Sequence, residues 1–176
     1  MNDQQILLGC RKKDRKAQKC LYDRYSGMLL GICARYATDI PEAEDILQES
    51  LLKIYLNIAY YSGEGSFIGW MRKIVINTAI THYHKNLKHK RYVEIEELYT
   101  GEAGKDDFPD TPFTAEELKK VLDQLPPGYK TVFNLYAIEG YKHKEIAEML
   151  DIDVNTSKSQ YSRARTFIQK KLENYK

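Results

Sequence analysis

The stretch "EIAEMLDIDVNTSKSQYSRAR" at residues 145–165 decides how the C-terminal part of the chain folds. Its first half has apolar residues at helical spacing and predicts a short amphipathic helix. The periodicity breaks at "DID", where Asp151 suits a left-handed turn position and Asp153 suits the N-cap of a second helix. The stretch therefore predicts two short helices joined by a tight turn.

The second of these helices has one face that packs and one polar, basic face. The packing face is expected to hold Ser157, Tyr161, Ala164, Ile168 and Leu172. The outer face then carries Thr156, Lys158, Ser159, Gln160, Ser162, Arg163 and Arg165. A helix-turn-helix places such a helix in the DNA major groove, where Gln and Arg read base edges and hydroxyls contact phosphates. The alternative is an ordinary helical hairpin with a solvated outer face.

Charge is segregated along the chain although the net charge is only +2. Residues 65–92 contain no acid but six Lys or Arg, whereas residues 93–117 contain nine acids and one lysine. Blocks of this kind indicate a polyanion-binding surface followed by a solvated linker. The three cysteines are odd in number and form no C-x-x-C pair, and no membrane span or signal peptide is evident. We therefore expect a cytoplasmic protein without a cofactor or a metal site.

Helical periodicity dominates and predicts an all-α fold of two small helical domains joined by a flexible acidic linker. We place the first domain at residues 1–92, the linker at 93–113 and the helix-turn-helix domain at 114–176. Helices are expected at about residues 3–15, 17–37, 41–57 and 67–88, and then at 114–125, 127–139, 142–150 and 154–173. Ser66 should cap the fourth helix, and Thr114 should cap the fifth in a capping box with Glu117.

Two polar stripes stand out in the first domain. On the third helix, Asp45, Gln48, Glu49 and Leu52 share one face and resemble a docking stripe for a partner helix. A solvated acidic face with one stray leucine explains them as well. On the fourth helix, an acid-free stripe favours a nucleic-acid strand, with nearby Tyr60, Tyr61 and Tyr83 to stack bases. Its residues are Lys73, Asn77, Thr81, Lys85 and Lys88. A merely solvated helix is the alternative.

Three segments together resemble an extracytoplasmic-function (ECF) sigma factor of the sigma-70 family. They are "PEAEDILQESLLKIY", "GEGSFIGWMRKIVINTAI" and "LPPGYKTVFNLYAIEGYKHKEIAEMLDIDVNTSKSQYSRARTFIQKKL". They follow the family's order, span nearly the whole chain and enclose an acidic linker. The chain departs from the family pattern at Gln160, where arginine is frequent, and at Ser157, where an aliphatic residue is usual.

The resemblance implies a role for each stripe. Asp45, Gln48, Glu49 and Leu52 match the segment that docks on the clamp helices of the RNA polymerase beta-prime subunit. The loop with Tyr61 and Ser66 and the helix with Lys73, Asn77, Thr81 and Lys85 match the part that melts the minus-ten element and captures an unstacked base. Thr156, Lys158, Ser159, Gln160, Arg163 and Arg165 match the part that reads the minus-thirty-five element.

The implied function is to give core RNA polymerase promoter specificity, without catalysis and without a small-molecule substrate. The implied partners are promoter DNA and core polymerase, the latter through its beta-prime clamp helices and beta flap. A further implied partner is an anti-sigma factor, which can be membrane-bound. One rival is a helix-turn-helix regulator that acts without being a polymerase subunit. Another is a helical metalloenzyme, for which the acids of the third helix and His82 and His84 lack the E-x-x-H pairing of such sites.

Overall fold

The structure is a computed structural model that describes residues 1–90 and 113–175. Every regular element in these ranges is helical, which confirms the predicted all-α fold. The chain divides into two compact units, Met1–Tyr92 and Val93–Lys176. The linker predicted at 93–113 lies outside the described residues except for Phe113. No helix in the described ranges combines the length and apolarity needed to cross a bilayer.

The N-terminal unit contains four helices and one short 3-10 turn. They are α1 (Asp3–Arg11), α2 (Arg15–Tyr36), α3 (Ile40–Asn57), the 3-10 turn (Ile58–Tyr60) and α4 (Phe67–Lys90). Helix α2 packs against each of the other three helices, and α3 also packs along α4. The core between them includes the fully buried Leu21, Leu29, Ile54, Met71 and Val75. On α4 the residues next to Met71 and Val75 in the core, Ile76, Ala79 and Ile80, are buried as well.

The first helix is four residues shorter than predicted. Lys13 takes a left-handed conformation (φ 58°) and its N–H donates to the carbonyl of Cys10 at 2.9 Å. The next N–H, of Asp14, reaches back to the carbonyl of Gly9 at 2.9 Å, which completes a Schellman ending. The Asp14 carboxylate then caps α2 by accepting from the Lys16 N–H at 2.9 Å. One residue thus ends α1 and begins α2, so the two helices turn sharply and pack together.

The C-terminal unit is built from four helices. They are α5 (Ala115–Asp123), α6 (Pro127–Phe133) with a π-helical turn (Asn134–Ile138) at its end, α7 (His143–Leu150) and α8 (Val154–Glu173). Its core joins α5, α6 and α8 through Val121, Leu125, Phe133, Ala164, Ile168 and Leu172. The capping box of Thr114 and Glu117 forms as predicted. The single helix expected at 127–139 instead widens into the π turn at Asn134.

The turn between α7 and α8 has the predicted geometry. Asp151 lies in the left-handed region (φ 54°, ψ 51°), and the next N–H, of Ile152, donates to the carbonyl of Ala147 at 3.0 Å. Asp153 occupies the N-cap position of α8 with an extended backbone, but its side chain makes no capping hydrogen bond. The turn therefore depends on the left-handed residue more than on the cap.

We expect opposite effects from two glycine-to-alanine changes in the N-terminal unit. A Cβ on Gly9 would lie 2.4 Å from the Cβ of Ala17, which cannot move away because it is fixed to the backbone of α2. Gly9→Ala should therefore cost about 1–3 kcal/mol of stability. At the exposed Gly31 a Cβ meets nothing within 4 Å, so Gly31→Ala should stabilise by about 0.5–1 kcal/mol through helix propensity.

Urea unfolding followed by the fluorescence of Trp70, the single tryptophan, measures both variants in the unit that carries them. Equal stabilisation by the two alanines would contradict the close approach of α1 and α2.

Candidate nucleic-acid interfaces

A groove runs between α3 and α4, with a cavity volume of about 370 Å³. Its walls are formed by Lys53, Asn57, Tyr60, Trp70, Ile74, Asn77, Thr78 and Thr81. Two small polar side chains, Ser50 on α3 and Thr78 on α4, are fully buried in this unit. Each of these hydroxyls donates to a carbonyl four residues earlier in its own helix, so neither is left unsatisfied. The groove therefore combines aromatic walls with amide and hydroxyl groups.

The basic stripe on α4 is split between the groove and the open surface. Asn77 and Thr81 are exposed and line the groove, whereas Lys73 and Lys85 are exposed outside its lining. The hydroxyl of Thr81 donates to the carbonyl of Asn77 at 3.0 Å. The Asn77 amide makes no hydrogen bond to any described residue of the N-terminal unit, so it presents both a donor and an acceptor.

Lys53 is a groove residue that sequence reasoning missed. Its ammonium group donates to the Thr78 hydroxyl at 3.2 Å and pairs with the Glu49 carboxylate at 2.8 Å. A positive charge is thus held on the groove wall by two contacts, although the Lys53 side chain is 39% exposed. The signal was present in the sequence, because Lys53 lies four residues after Glu49 on the same helix, the spacing of a helical ion pair.

The two tyrosines of the preceding loop take different positions. Tyr61 was predicted to contact DNA, but only 6% of it is exposed. Its ring packs on Phe67 and Trp70 with centroids 5.5 and 5.3 Å apart, and its hydroxyl donates to the Gly65 carbonyl at 2.9 Å. Tyr60, in contrast, is 84% exposed and lines the groove. The ring available for stacking is therefore that of Tyr60, while Tyr61 supports the loop from inside.

Ser66 has the capping position that the sequence predicted. Its hydroxyl accepts from the Gly69 N–H at 3.2 Å at the start of α4, while the residue itself remains exposed. A contact between Ser66 and a phosphate would use the remaining capacity of the hydroxyl.

The predicted docking stripe on α3 lies on the surface. Asp45 and Gln48 are exposed, and Leu52 is 58% exposed. One turn further on, Leu56 is 67% exposed and extends the apolar part of the stripe. The solvated-face alternative accounts for one exposed leucine, whereas this face of α3 has two, Leu52 and Leu56.

Glu49 differs from the rest of the stripe because its carboxylate is engaged within the unit. It pairs with Lys53 at 2.8 Å and with Nε2 of His82 at 2.7 Å. Hydrogen bonds from Lys53 and then from His82 lower the pKa of Glu49 to about 2. Glu49 thus ties α3 to α4 beneath the docking stripe, and no local sequence pattern indicates its partner His82, 33 residues away.

The outer face of α8 divides into an exposed start and a more sheltered middle. Lys158 and Ser159 are exposed, and Thr156 and Gln160 are half-buried. Arg163 donates to the hydroxyl of Tyr129 at 3.4 Å. The Arg165 guanidinium lies over the Tyr161 ring, 5.8 Å from its centroid. Both arginines thus contact aromatic residues of their own unit. The sequence predicted that they point outward, and in the structure they do so only in part.

Ser157 is fully buried where α8 meets α7, and a histidine satisfies its hydroxyl. Its Oγ lies 2.9 Å from Nδ1 of His143, whose ring stacks on Tyr136 with centroids 4.3 Å apart. Burial, and then the charge of Lys158, lower the pKa of His143 and favour the neutral ring. Tyr136 belongs to the π-helical turn, so this turn helps to hold α8 in place.

No group of three or more His, Cys, Asp or Glu side chains in residues 1–90 and 113–175 is placed to hold a metal ion. Two of the α3 acids that the metalloenzyme alternative needed, Glu42 and Glu49, accept hydrogen bonds from other side chains. Glu42 accepts from the amide of Asn86 at 2.6 Å and Glu49 accepts from Lys53 and His82.

We expect Glu49→Gln to lower the free energy of unfolding near neutral pH by about 0.2–1 kcal/mol, as for other partly exposed ion pairs. Because the folded pKa of Glu49, about 2, lies below its ordinary 4.5, this contribution is present above pH 4.5. It is lost as the pH falls toward 2. The difference between wild type and variant, measured by urea unfolding at a series of pH values, should therefore narrow below pH 4.5.

Asp45→Asn is the matched control, since Asp45 is an exposed acid on the same helix. If that variant showed the same pH-dependent loss, the effect would come from net charge and not from the Glu49 pair.

Comparisons with known proteins show which family the chain is similar to. Residues 21–88 match the family model described as Sigma-70 region 2, and residues 115–168 match the one described as Sigma-70, region 4. An ECF RNA polymerase sigma-E factor of Haemophilus influenzae is 30% identical, with 98% of this chain aligned to 96% of that protein. The RNA polymerase sigma-H factor of Pseudomonas aeruginosa is 28% identical over 97% of this chain and 94% of its own length.

Two solved structures share the fold. One is the sigma factor RpoE of Bartonella quintana in complex with the anti-sigma factor NepR, with a TM-score of 0.54 and 20% identity over 88% of this chain and 96% of that one. The other is CnrH in complex with the cytosolic domain of CnrY, with a TM-score of 0.52 and 17% identity over 98% and 97%. With nearly its full length aligned to named sigma factors, the chain belongs to the ECF group of the sigma-70 family of RNA polymerase sigma factors.

Proposed function

We propose that the N-terminal unit captures one unpaired base of the minus-ten element in the groove between α3 and α4. As an ECF sigma factor the protein directs promoter-specific transcription initiation by RNA polymerase. What remains to be assigned is which surface performs each step. The observation that carries the proposal is the groove itself, where the exposed Asn77 amide faces the same cavity as Tyr60 and Trp70.

The chemistry of the groove suits a single base. Its volume of about 370 Å³ is in the range of small-molecule sites. Tyr60 and Trp70 offer aromatic surface, and stacking one base on such a ring is worth about 1–3 kcal/mol. Asn77 offers a donor and an acceptor, which a base edge also has. These contacts offset the few kcal/mol that unstacking and unpairing the base cost.

Cations around the groove suit the flanking phosphates. Lys53 holds a fixed charge on the wall, and Lys73 and Lys85 are exposed on the same helix as Asn77. Each phosphate neutralised by such a lysine releases counterions, so binding of the melted strand should weaken as salt rises. Thr81 and Ser66 add hydroxyls along the same path. The stripe on α4 thus tracks the backbone while the groove holds the base.

The helix-turn-helix of the C-terminal unit is proposed to bind the minus-thirty-five element as duplex. Lys158 and Ser159, at the exposed start of α8, are placed as recognition-helix residues that enter the major groove first. Thr156 and Gln160 are half-buried beside them. Arg163 and Arg165, which lean on Tyr129 and Tyr161, would reach DNA only by leaving those rings. We therefore assign the first base contacts to the start of the helix.

The stripe of Asp45, Gln48, Leu52 and Leu56 is proposed to dock on the clamp helices of the beta-prime subunit of core RNA polymerase. Its exposed leucines give an apolar centre and its polar residues a rim, which is the usual anatomy of a protein interface. Glu49 supports this surface from beneath through Lys53 and His82. The C-terminal unit is proposed to contact the beta flap.

We also propose an anti-sigma factor as regulatory partner, since one structural neighbour, the sigma factor RpoE of Bartonella quintana, is in complex with the anti-sigma factor NepR. The protein itself is proposed to act in the cytoplasm and to perform no covalent chemistry. Family membership disfavours the alternative of a helix-turn-helix regulator that acts without polymerase, because it places region 2 as well as region 4 in this chain.

Asn77→Ala tests the capture groove. The variant should assemble with core polymerase and bind the upstream duplex, because Asn77 is exposed and its amide holds no structural hydrogen bond in the described part of the chain. It should fail to open the start-site region, as measured by permanganate footprinting. A template with a pre-melted bubble should restore much of the transcription, because unpairing no longer has to be driven.

Asn86→Ala is the control on the same helix: it removes an amide that does not line the groove but ties α4 to Glu42 at 2.6 Å, and opening should be retained despite the loss of this single tie. Normal opening by Asn77→Ala would show that Asn77 is not the capture residue. If the wild-type protein opened no promoter with any core enzyme, the assignment of melting to this unit would fail.

Leu52→Glu tests the docking stripe. A charge in place of a half-exposed leucine should weaken binding to core polymerase by at least about tenfold if Leu52 is central to the interface. Leu8→Glu is the matched control, since Leu8 on α1 is 55% exposed, much as Leu52 is. Titration of labelled protein with core polymerase measures both, and equal affinities for the two variants would remove the stripe from the interface.

A further inference from the structure

Arg11, the last residue of α1, makes contacts that neither the basic stripe nor the docking stripe explains. Its Nε donates to the carbonyl of Ile58 at 3.3 Å, and its terminal NH₂ nitrogen donates to the carbonyl of Tyr61 at 2.5 Å. The partners lie 47 and 50 residues further along the chain. One guanidinium group therefore bridges the start of the unit and the loop that leads into α4.

Both carbonyls belong to the ends of helical segments. Ile58 is the C-cap of α3, and Tyr61 is the C-cap of the 3-10 turn. The Ile58 carbonyl also accepts from the Tyr61 N–H at 3.4 Å within the turn, so Arg11 adds a second donor to it. A cation at such helical ends is favoured by the helix dipole. The planar guanidinium group has its donors in a fixed fork, so it can hold two acceptors at once in one geometry. A lysine ammonium can also contact two acceptors, but its rotatable donors on a flexible stem would not hold both in one geometry.

The segment between these two carbonyls carries Tyr60. Because the Tyr60 side chain is 84% exposed, packing does little to hold its ring, and its position depends on the backbone on either side. Behind it, the ring of Tyr61 is fixed between Phe67 and Trp70. Arg11 fixes the backbone of Tyr61 from the α1 side. The exposed ring at the rim of the groove is thus held by two anchors that do not touch the groove.

We propose that Arg11 is a positioning residue for DNA capture, which holds Tyr60 at the rim of the α3–α4 groove by binding the carbonyls on either side of it. The inference rests on the proposed capture of a base in this groove. Arg11 is not assigned a contact with DNA, and its positive charge is not what the role requires. What it requires is the two-point contact with the loop.

The test uses holoenzyme assembled from the full-length protein and core RNA polymerase, with a fluorescein-labelled promoter fragment selected by the wild-type holoenzyme and mismatched across its minus-ten region. Arg11→Met should weaken binding of this fragment about five- to tenfold, within the range for loss of one base-stacking ring. Arg11→Lys, which keeps the charge without the fork, should fall close to Arg11→Met. Affinity for core polymerase should not change.

Lys12→Met is the matched control, because it removes the same charge from the adjacent exposed position. It should change the affinity less than about twofold, as for a charge that makes no fixed contact with the strand. A loss equal to that of Arg11→Met would overturn the proposal, since charge alone would then account for it. So would an unchanged affinity in Arg11→Met.

A double-mutant cycle with Tyr60→Ala separates positioning from a general effect. If Arg11 acts through Tyr60, then Arg11→Met should add less than about twofold once Tyr60 is alanine. Additive losses would overturn the proposal. Hydrogen exchange gives a second readout without DNA: amides of residues 58–65 should exchange faster in Arg11→Met, while those in the middle of α2 keep their rates.

Two results tell the proposal apart from the function on which it rests. Faster exchange at residues 58–65 with unchanged DNA binding would show that Arg11 stabilises the loop but does not position it for capture. No effect of Tyr60→Ala, with a loss in Asn77→Ala, would keep the groove as the capture site and overturn the role of Arg11. No effect of either variant would remove capture from this groove altogether.

Discussion

The contact between α3 and α4 is the constraint on which the N-terminal unit depends. Three polar ties cross it: Glu42 to Asn86, Glu49 to His82, and Lys53 to Thr78. Each tie alone is worth little, because partly exposed pairs contribute about 0.2–1 kcal/mol. Their consequence is geometric. The proposed docking stripe lies on α3 and Asn77, the proposed capture residue, lies on α4, so the register of these two helices fixes where the groove stands relative to a bound polymerase.

The same ties also decide which charges meet DNA. Lys53 faces the groove but is paired with Glu49, whose low pKa keeps the carboxylate ionised at any physiological pH. Its charge is therefore held in place and partly compensated, which suits a wall that must also accept an uncharged base. Lys73 and Lys85 are exposed and carry the long-range attraction for phosphates. The lysines that attract the strand, on α4, thus differ from the lysine beside the base, on α3.

The sequence predicted what depends on local pattern and missed what depends on distant partners. Helical periodicity located the α3 and α4 stripes, and the left-handed Asp151 followed from turn chemistry. Tyr60 and Tyr61 are adjacent and identical, so no local signal could say that Tyr61 is buried and Tyr60 is exposed. Arg11 reaches a loop about 50 residues away. Such pairings are set by how the helices close on one another, which periodicity does not encode.

The C-terminal unit shows how one departure from the family pattern is accommodated. The resemblance implies an aliphatic residue where this chain buries Ser157, and a buried hydroxyl without a partner would cost about 1–3 kcal/mol. Nδ1 of His143 lies 2.9 Å from the Ser157 hydroxyl and so avoids that cost. Burial, and then the charge of Lys158, lower the pKa of His143 and favour the neutral ring. Packing of an aliphatic side chain tolerates rotation, whereas a hydrogen bond has a preferred direction. In this chain one directional bond between α7 and α8 therefore adds to the left-handed turn at Asp151, next to the exposed Lys158 and Ser159.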